Sequence, residues 1–210
     1  MANSMKLIAK KSFPKAIQVT DRFHVQKLTL EALQEIRIKH RWEAMDMENQ
    51  LILKAKSENK IPNIKLLANG DSLKQLLARS RYLLYKSKEK WTDIQKERAQ
   101  ILFELYPEIK TAYNLSQQLR SIYNNKSDKN VAMLKLAHWY KKVEESGFKN
   151  FNILLNTITL NYQSILNYFD NRSTNASAES FNAKIKAFRS QFRGVRKIVF
   201  FLFRLSNLFG

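Results

Sequence analysis

The stretch AIQVTDRFHVQKLTLEALQEIRIKHRW, residues 16–42, changes its periodicity partway along and so decides the fold. Ala16 to Thr20 is short and β-prone, follows Phe13-Pro14 and closes at Asp21-Arg22, which predicts a strand ending in an acid. From Val25 onward Leu28, Leu30, Ala32, Leu33, Ile36 and Ile38 take up helical spacing, so a helix is expected past Trp42 towards Lys56. An Asp where a strand gives way to a helix is a site-like position; a turn residue capping the helix is the plainer alternative.

Outward from this stretch the chain reads as helices in series. Residues 61–70, with Pro62, Asn69 and Gly70, predict a loop, and Asp71 or Ser72 an N-cap for a helix to about Tyr85. Further helices are expected at about 90–105, at 107–124 with Pro107 in the first turn, at 129–145 ending at Ser146-Gly147, and at 149–169. DNRSTN at 170–175 is a turn-rich break, followed by helices at 176–190 and 195–208 parted at Gly194. Four Gly and three Pro in 210 residues argue against an all-β fold, and no internal repeat is visible.

Charge narrows the partner. Thirty-seven Lys and Arg against eighteen Asp and Glu leave a formal charge of +19, which calls for a polyanion. A hydrophobic content of 44% and 13 Phe, 8 Tyr and 3 Trp are those of a folded nucleic-acid binder rather than a disordered basic tail. With no cysteine, disulfides, thiolate metal sites and cysteine nucleophiles are excluded, and a cytoplasmic, nucleoid-associated location is expected. The first fifteen residues hold no secretory apolar core. The longest late apolar run, IVFFLF at 198–203, is far short of the roughly 20 residues of a membrane span.

The helix expected at 176–190 has two distinct faces. Phe181, Ile185, Phe188 and then Phe192 recur at intervals of four, three and four, an apolar stripe for packing. Glu179, Asn182, Lys186, Arg189 and Arg193 recur at three, four, three and four. Residues 172–210 contain eight Lys or Arg and a single acid, Glu179. One carboxylate inside a phosphate-attracting surface repels the ligand unless a divalent cation neutralises it, which makes Asp21 and Glu179 candidate metal ligands for two-metal phosphoryl transfer. A first-turn helix acid stabilised by the helix dipole is the ordinary alternative for Glu179.

TDRFHVQK at 20–27, EALQEIRIKHRW at 31–42 and NASAESFNAKIKAFRSQFRG at 175–194 closely resemble the ISL-three-type insertion-sequence transposases. The resemblance covers both ends of the chain in the family's order. It implies a mainly α protein with an incomplete ribonuclease-H-like α/β core, of which one strand is recognisable, interrupted by a long all-helical insertion. On that reading residues 1–45 are a partial core, 46–170 the insertion and 171–210 the C-terminal core helices.

The resemblance further implies a DDE-type enzyme, in which three acids bind Mg²⁺ or Mn²⁺ for strand cleavage and joining. By motif Asp21 matches the second acid and Glu179 the third, with Arg22, His24 and Asn182 as supporting residues. The first acid belongs on a strand ahead of the segment SMKLIAKKSFPKA, where this sequence has only MAN, so a separate N-terminal polypeptide is an expected partner. Double-stranded DNA is the other partner, held by Lys184, Lys186, Arg189, Arg193, Arg196 and Lys197, and the active form is expected to be a homo-oligomer. A catalytically inactive helical DNA-binding module, or a transposase remnant, is the alternative reading. The tryptophans Trp42, Trp91 and Trp139 and the tyrosines near them are read as helix packing rather than base-stacking platforms.

Overall fold

Asp21 ends an extended segment and starts the longest helix of the molecule. In the computed structural model, which describes residues 3–172, 176–192, 194 and 196–209, α1 (Asn3–Ser12) is followed by that segment and by α2 (Arg22–Ser57). At 36 residues α2 is about 54 Å long at ~1.5 Å per residue. Val25, Thr29, Ala32, Leu33 and Ile36 put its first half in the core at helical spacing, whereas Met47, Leu51 and Leu53 in its second half are exposed. The 45/46 boundary expected from the sequence falls inside this one continuous helix.

Residues 16–20 are a correction. They form no strand, and no β-strand exists among the described residues. Buried backbone polar groups need partners, and here they come from helix ends rather than from a sheet. The Thr20 N–H donates to the Ser164 carbonyl at 2.8 Å, and the Asn167 side chain donates to the Gln18 carbonyl at 3.0 Å.

The helical series follows the local signals closely. α3 (Leu73–Arg79) begins at Ser72, whose hydroxyl and Gln75 form a reciprocal capping box, and α4 (Arg81–Tyr85) follows at once. α5 (Asp93–Leu105) has the same box from Thr92 and Gln95. α6 (Pro107–Asn124) opens on Pro107, whose missing N–H costs nothing in a first turn. α7 (Lys129–Ser146) is capped by Asp128 and stopped by Gly147 at φ 67°, a left-handed conformation suited to glycine.

The single helix expected at 149–169 is three: α8 (Asn152–Leu160), α9 (Tyr162–Leu166) and α10 (Tyr168–Asn171). The breaks fall at Asn161 and Asn167, whose side chains compete for hydrogen bonds. Asn161 donates back to the Thr157 carbonyl at 2.7 Å and accepts from Lys6. Asn167 reaches the Gln18 carbonyl and accepts from Lys129 at 3.2 Å.

In the first compact unit, Met1–Asn171, α2 packs on α3, α6 and α8, while α6 is flanked by α5 and α7. The core between them holds Leu33, Leu76, Leu102, Leu119, Tyr113 and Trp139, all essentially inaccessible to solvent. Trp91 and Trp139 donate their indole N–H to the Leu83 and Leu115 carbonyls, both at 2.8 Å, so two of the three tryptophans are packing residues, while Trp42 is exposed. Arg37 is also buried: its guanidinium donates to Gln34 and to the Leu77 carbonyl, both at 2.7 Å, and burial followed by nearby Arg41 and Arg81 lowers its pKa.

The second unit, Arg172–Gly210, contains α11 (Ala176–Gln191) and α12 (Ile198–Phe209). Phe188 is buried between Phe192 and Phe201, with ring centroids at 4.6 and 5.7 Å. Of the expected apolar stripe, Ile185 is half-buried and Phe181 exposed. Residues 193 and 195 lie outside the described residues.

Candidate carboxylates and nucleic-acid interface

Asp21 is built as a helix cap. Its backbone is extended (φ −61°, ψ 139°), its Oδ1 accepts from the Phe23 N–H at 2.9 Å, and it is 8% exposed. An anion at this position is favoured by the N-terminal end of the α2 dipole. The segment is anchored on both sides. Thr20 and Ser164 share a hydroxyl hydrogen bond at 2.8 Å, and the Arg22 Nη1 donates to Asn124 Oδ1 at 3.2 Å at the end of α6.

An aromatic cluster backs this corner. Tyr123 is buried, with Tyr168 and Phe169 at ring distances of 5.4 and 5.2 Å. Burial raises the Tyr123 hydroxyl pKa well above its usual value, with Tyr168 and the Asp21 carboxylate adding to the effect. A neutral phenol beside an acid is what a low-dielectric corner favours. The sequence signalled Tyr123 only as one more core aromatic, because nothing in its spacing ties it to Asp21.

Of the supporting residues, Arg22 is turned to Asn124, and His24 is exposed with its ring 6.2 Å from that of exposed Phe23. His24 has its backbone N–H on the Asp21 carbonyl at 3.2 Å, part of the first turn of α2.

In the second unit Glu179 lies in the first turn of α11 and is exposed. Asn182, Lys186 and Arg189 follow it at helical spacing and are exposed as well. Lys184 is exposed but, two residues from Lys186, points about 160° away from it at ~100° per residue. The Arg189 guanidinium lies over the Phe201 ring at 5.7 Å, which orients it while leaving its charge at the surface. Arg196 and Lys197 are exposed in the link before α12, and Arg193 lies outside the described residues.

Among the described residues no group of three or more His, Cys, Asp or Glu side chains converges to hold a metal ion. Asp21 and Glu179 offer hard carboxylate oxygens, the donor type that Mg²⁺ or Mn²⁺ prefers, and Asp21 belongs to the first unit and Glu179 to the second. No helix among the described residues is long and apolar enough to cross a membrane.

Residues 1–205 match a family model described as a transposase, the ISL-three-type family. Nothing among curated proteins or solved structures matches the chain. The match takes in nearly the whole length, including the Asp-Arg-Phe-His corner and the Ala-Ser-Ala-Glu start of α11, so the chain belongs to the ISL-three-type transposase family.

Proposed function

We propose that this chain acts in insertion-sequence transposition as the part of a DDE enzyme that carries the second and third acids, Asp21 and Glu179. The observation that carries the reading is the family match over residues 1–205, a range that contains both Asp21 and Glu179. Each acid stands in a setting that suits the role. Asp21 is fixed by its cap bond against a buried aromatic corner, and Glu179 is a lone acid among exposed cations.

Bound at these oxygens, Mg²⁺ would activate an attacking water or 3′ hydroxyl and stabilise the leaving oxygen. The chain's own residues do the rest. The Phe23 N–H holds Asp21 Oδ1 and so fixes the carboxylate at the start of α2. Lys186 and Arg189 neutralise DNA phosphates beside Glu179, while Lys184 on the opposite face of the helix, with Arg193, Arg196 and Lys197, adds further phosphate contacts. Asn182 donates a neutral hydrogen bond on the same face, and Arg22 and His24 flank Asp21.

On this reading the first acid and the strands of a ribonuclease-H-like core lie N-terminal to Asp21 in the complete enzyme, and the active assembly is a homo-oligomer on double-stranded DNA at the nucleoid. Titration of Mn²⁺ into the chain, followed calorimetrically, tests the metal assignment. Saturable binding that is lost in the Asp21→Asn, Glu179→Gln double variant is expected. Binding indifferent to both substitutions overturns it in favour of a catalytically silent DNA-binding module.

A further inference from the structure

The sequence placed the expected DNA contacts at the C-terminal end, yet the first unit contains a second basic surface. Between the turn that follows α4 and the outer face of α6 lies a cleft of about 810 Å³. Lys86, Lys88, Lys90 and Arg120 line it, together with one acid, Glu89. The Glu89 carboxyl is held below the usual carboxylate range first by its own backbone N–H and then by the Ser87 side chain, with Lys88 and Arg120 acting in the same direction. With four cations against this one acid, the cleft keeps a net positive wall.

The wall is constructed rather than incidental. Arg120 donates from Nη1 to Gln117 at 3.0 Å and from Nη2 to the Tyr85 carbonyl at 2.7 Å, which fixes its guanidinium at the turn. Buried Tyr113 donates its hydroxyl to the Lys86 carbonyl at 2.9 Å and holds the same turn from the core side. α6 supplies the floor. Its core face is apolar, through Ile109, Ala112, Leu115 and Leu119, whereas Asn114, Gln117, Ser121 and Asn124 follow one another along the cleft at intervals of three and four.

Asn114 to Asn124 spans about 15 Å at ~1.5 Å per residue, the rise of roughly four base pairs at ~3.4 Å each. Cations interleaved with amides and hydroxyls are the groups that contact phosphate and sugar without reading bases. Tyr85 is the single aromatic on the lining, too few for the stacking platforms that single strands require. A smaller depression of about 300 Å³ shares Gln118 and Ser121 and extends the charge to Lys135 and Lys142 of α7. At the C-terminal end of α6 Asn124 accepts from Arg22, next in sequence to Asp21.

We infer that this cleft is a second DNA site, which holds the phosphate backbone of a duplex along α6 and leads it to the Asp21 corner. The inference rests on the transposase reading and adds a binding surface to it. Anisotropy of a labelled duplex of about 20 base pairs and arbitrary sequence, measured with the full chain over a range of salt, tests it. Lys88→Gln, Lys90→Gln should weaken binding at least tenfold and flatten the slope of log K against log salt by about 1.8, at ~0.9 per lost phosphate contact. Lys88→Arg, Lys90→Arg should bind as the parent does. The same charge loss at Lys141 and Lys149, which line neither depression, should change affinity less than twofold.

Parent-like binding by the Lys88, Lys90 glutamine variant overturns the inference, as does an equal loss in the Lys141, Lys149 control. A loss confined to single-stranded probes overturns the duplex assignment. If Lys184→Gln, Lys186→Gln alone abolishes binding, the cleft fails and the transposase reading stands; if the chain binds no DNA at all, both fail.

Discussion

Asp21 is a helix cap and, on the proposed function, also a metal ligand, and chemistry separates the two jobs. As an N-cap it needs only an acceptor oxygen for the Phe23 N–H, which Asn supplies about as well as Asp. As a metal ligand it needs the charge. Asp21→Asn is therefore expected to melt within about 2 °C of the parent while losing Mn²⁺ binding. Asp21→Ala should lose both, with a stability cost of about 1 kcal/mol and a melting point some 2–4 °C lower. Thermal melts beside the calorimetric titration distinguish the two. If Asp21→Asn binds Mn²⁺ like the parent, Asp21 is only a cap. The residue itself was legible in the sequence because a short β-prone run ended on it. Its aromatic surroundings were not, since Tyr123 comes near it only through tertiary packing across more than a hundred residues of chain, with Tyr168 and Phe169 packed on Tyr123.

At the scale of elements, Asp71 holds the loop before α3 to the helices around it. It is 1% exposed and takes hydrogen bonds from Arg79, from Arg98 Nε at 3.0 Å and from the Asn69 side chain at 3.1 Å. Removing one partner from such a cluster leaves buried polar groups unpaired, at about 3 kcal/mol. Asp71→Ala should accordingly lower the melting temperature by roughly 6–12 °C; a change under 2 °C would show that the cluster contributes nothing net.

Tyr113 and Tyr123 set an alkaline limit. Burial raises both phenol pKa values above 10, so the folded state keeps protons that the unfolded state releases. Stability from these groups is fully present below about pH 10 and is lost as the pH rises beyond it. Melting curves from pH 9 to 11 should fall at the upper end, and Tyr123→Phe should flatten part of that fall.

The helices were readable because their punctuation is local. Ser72 and Thr92 with their capping boxes, Pro107, Asp128 and Gly147 each act within one turn of the helix they bound. Residues 16–20 misled for the opposite reason. Val19 and Thr20 are β-prone, but whether an extended segment becomes a strand depends on a neighbour, and here Ser164 and Asn167 at helix ends take its hydrogen bonds. The breaks at Asn161 and Asn167 were missed on the same grounds, since their deciding partners, Lys6 and Gln18, lie about 150 residues earlier.

At the scale of the whole molecule, the charge of +19 is distributed over two units. The C-terminal cations were visible as a run along one stretch of sequence. The cleft beside α6 was not, because Lys86, Lys88 and Lys90 meet Arg120 only when the turn after α4 folds back on α6. If both surfaces bind phosphate as proposed, the salt dependence of DNA binding is steeper than the C-terminal helix alone would give.

The central claim is that Asp21 and Glu179 serve DNA strand cleavage, and the most direct test is a cleavage assay on transposon-end DNA. The assay would use the transposase complete with the first acid, with and without Mg²⁺. Cleavage that requires Mg²⁺, and that falls to background in the Asp21→Asn, Glu179→Gln double variant while DNA binding persists, is the result predicted. Undiminished cleavage by the double variant would contradict it.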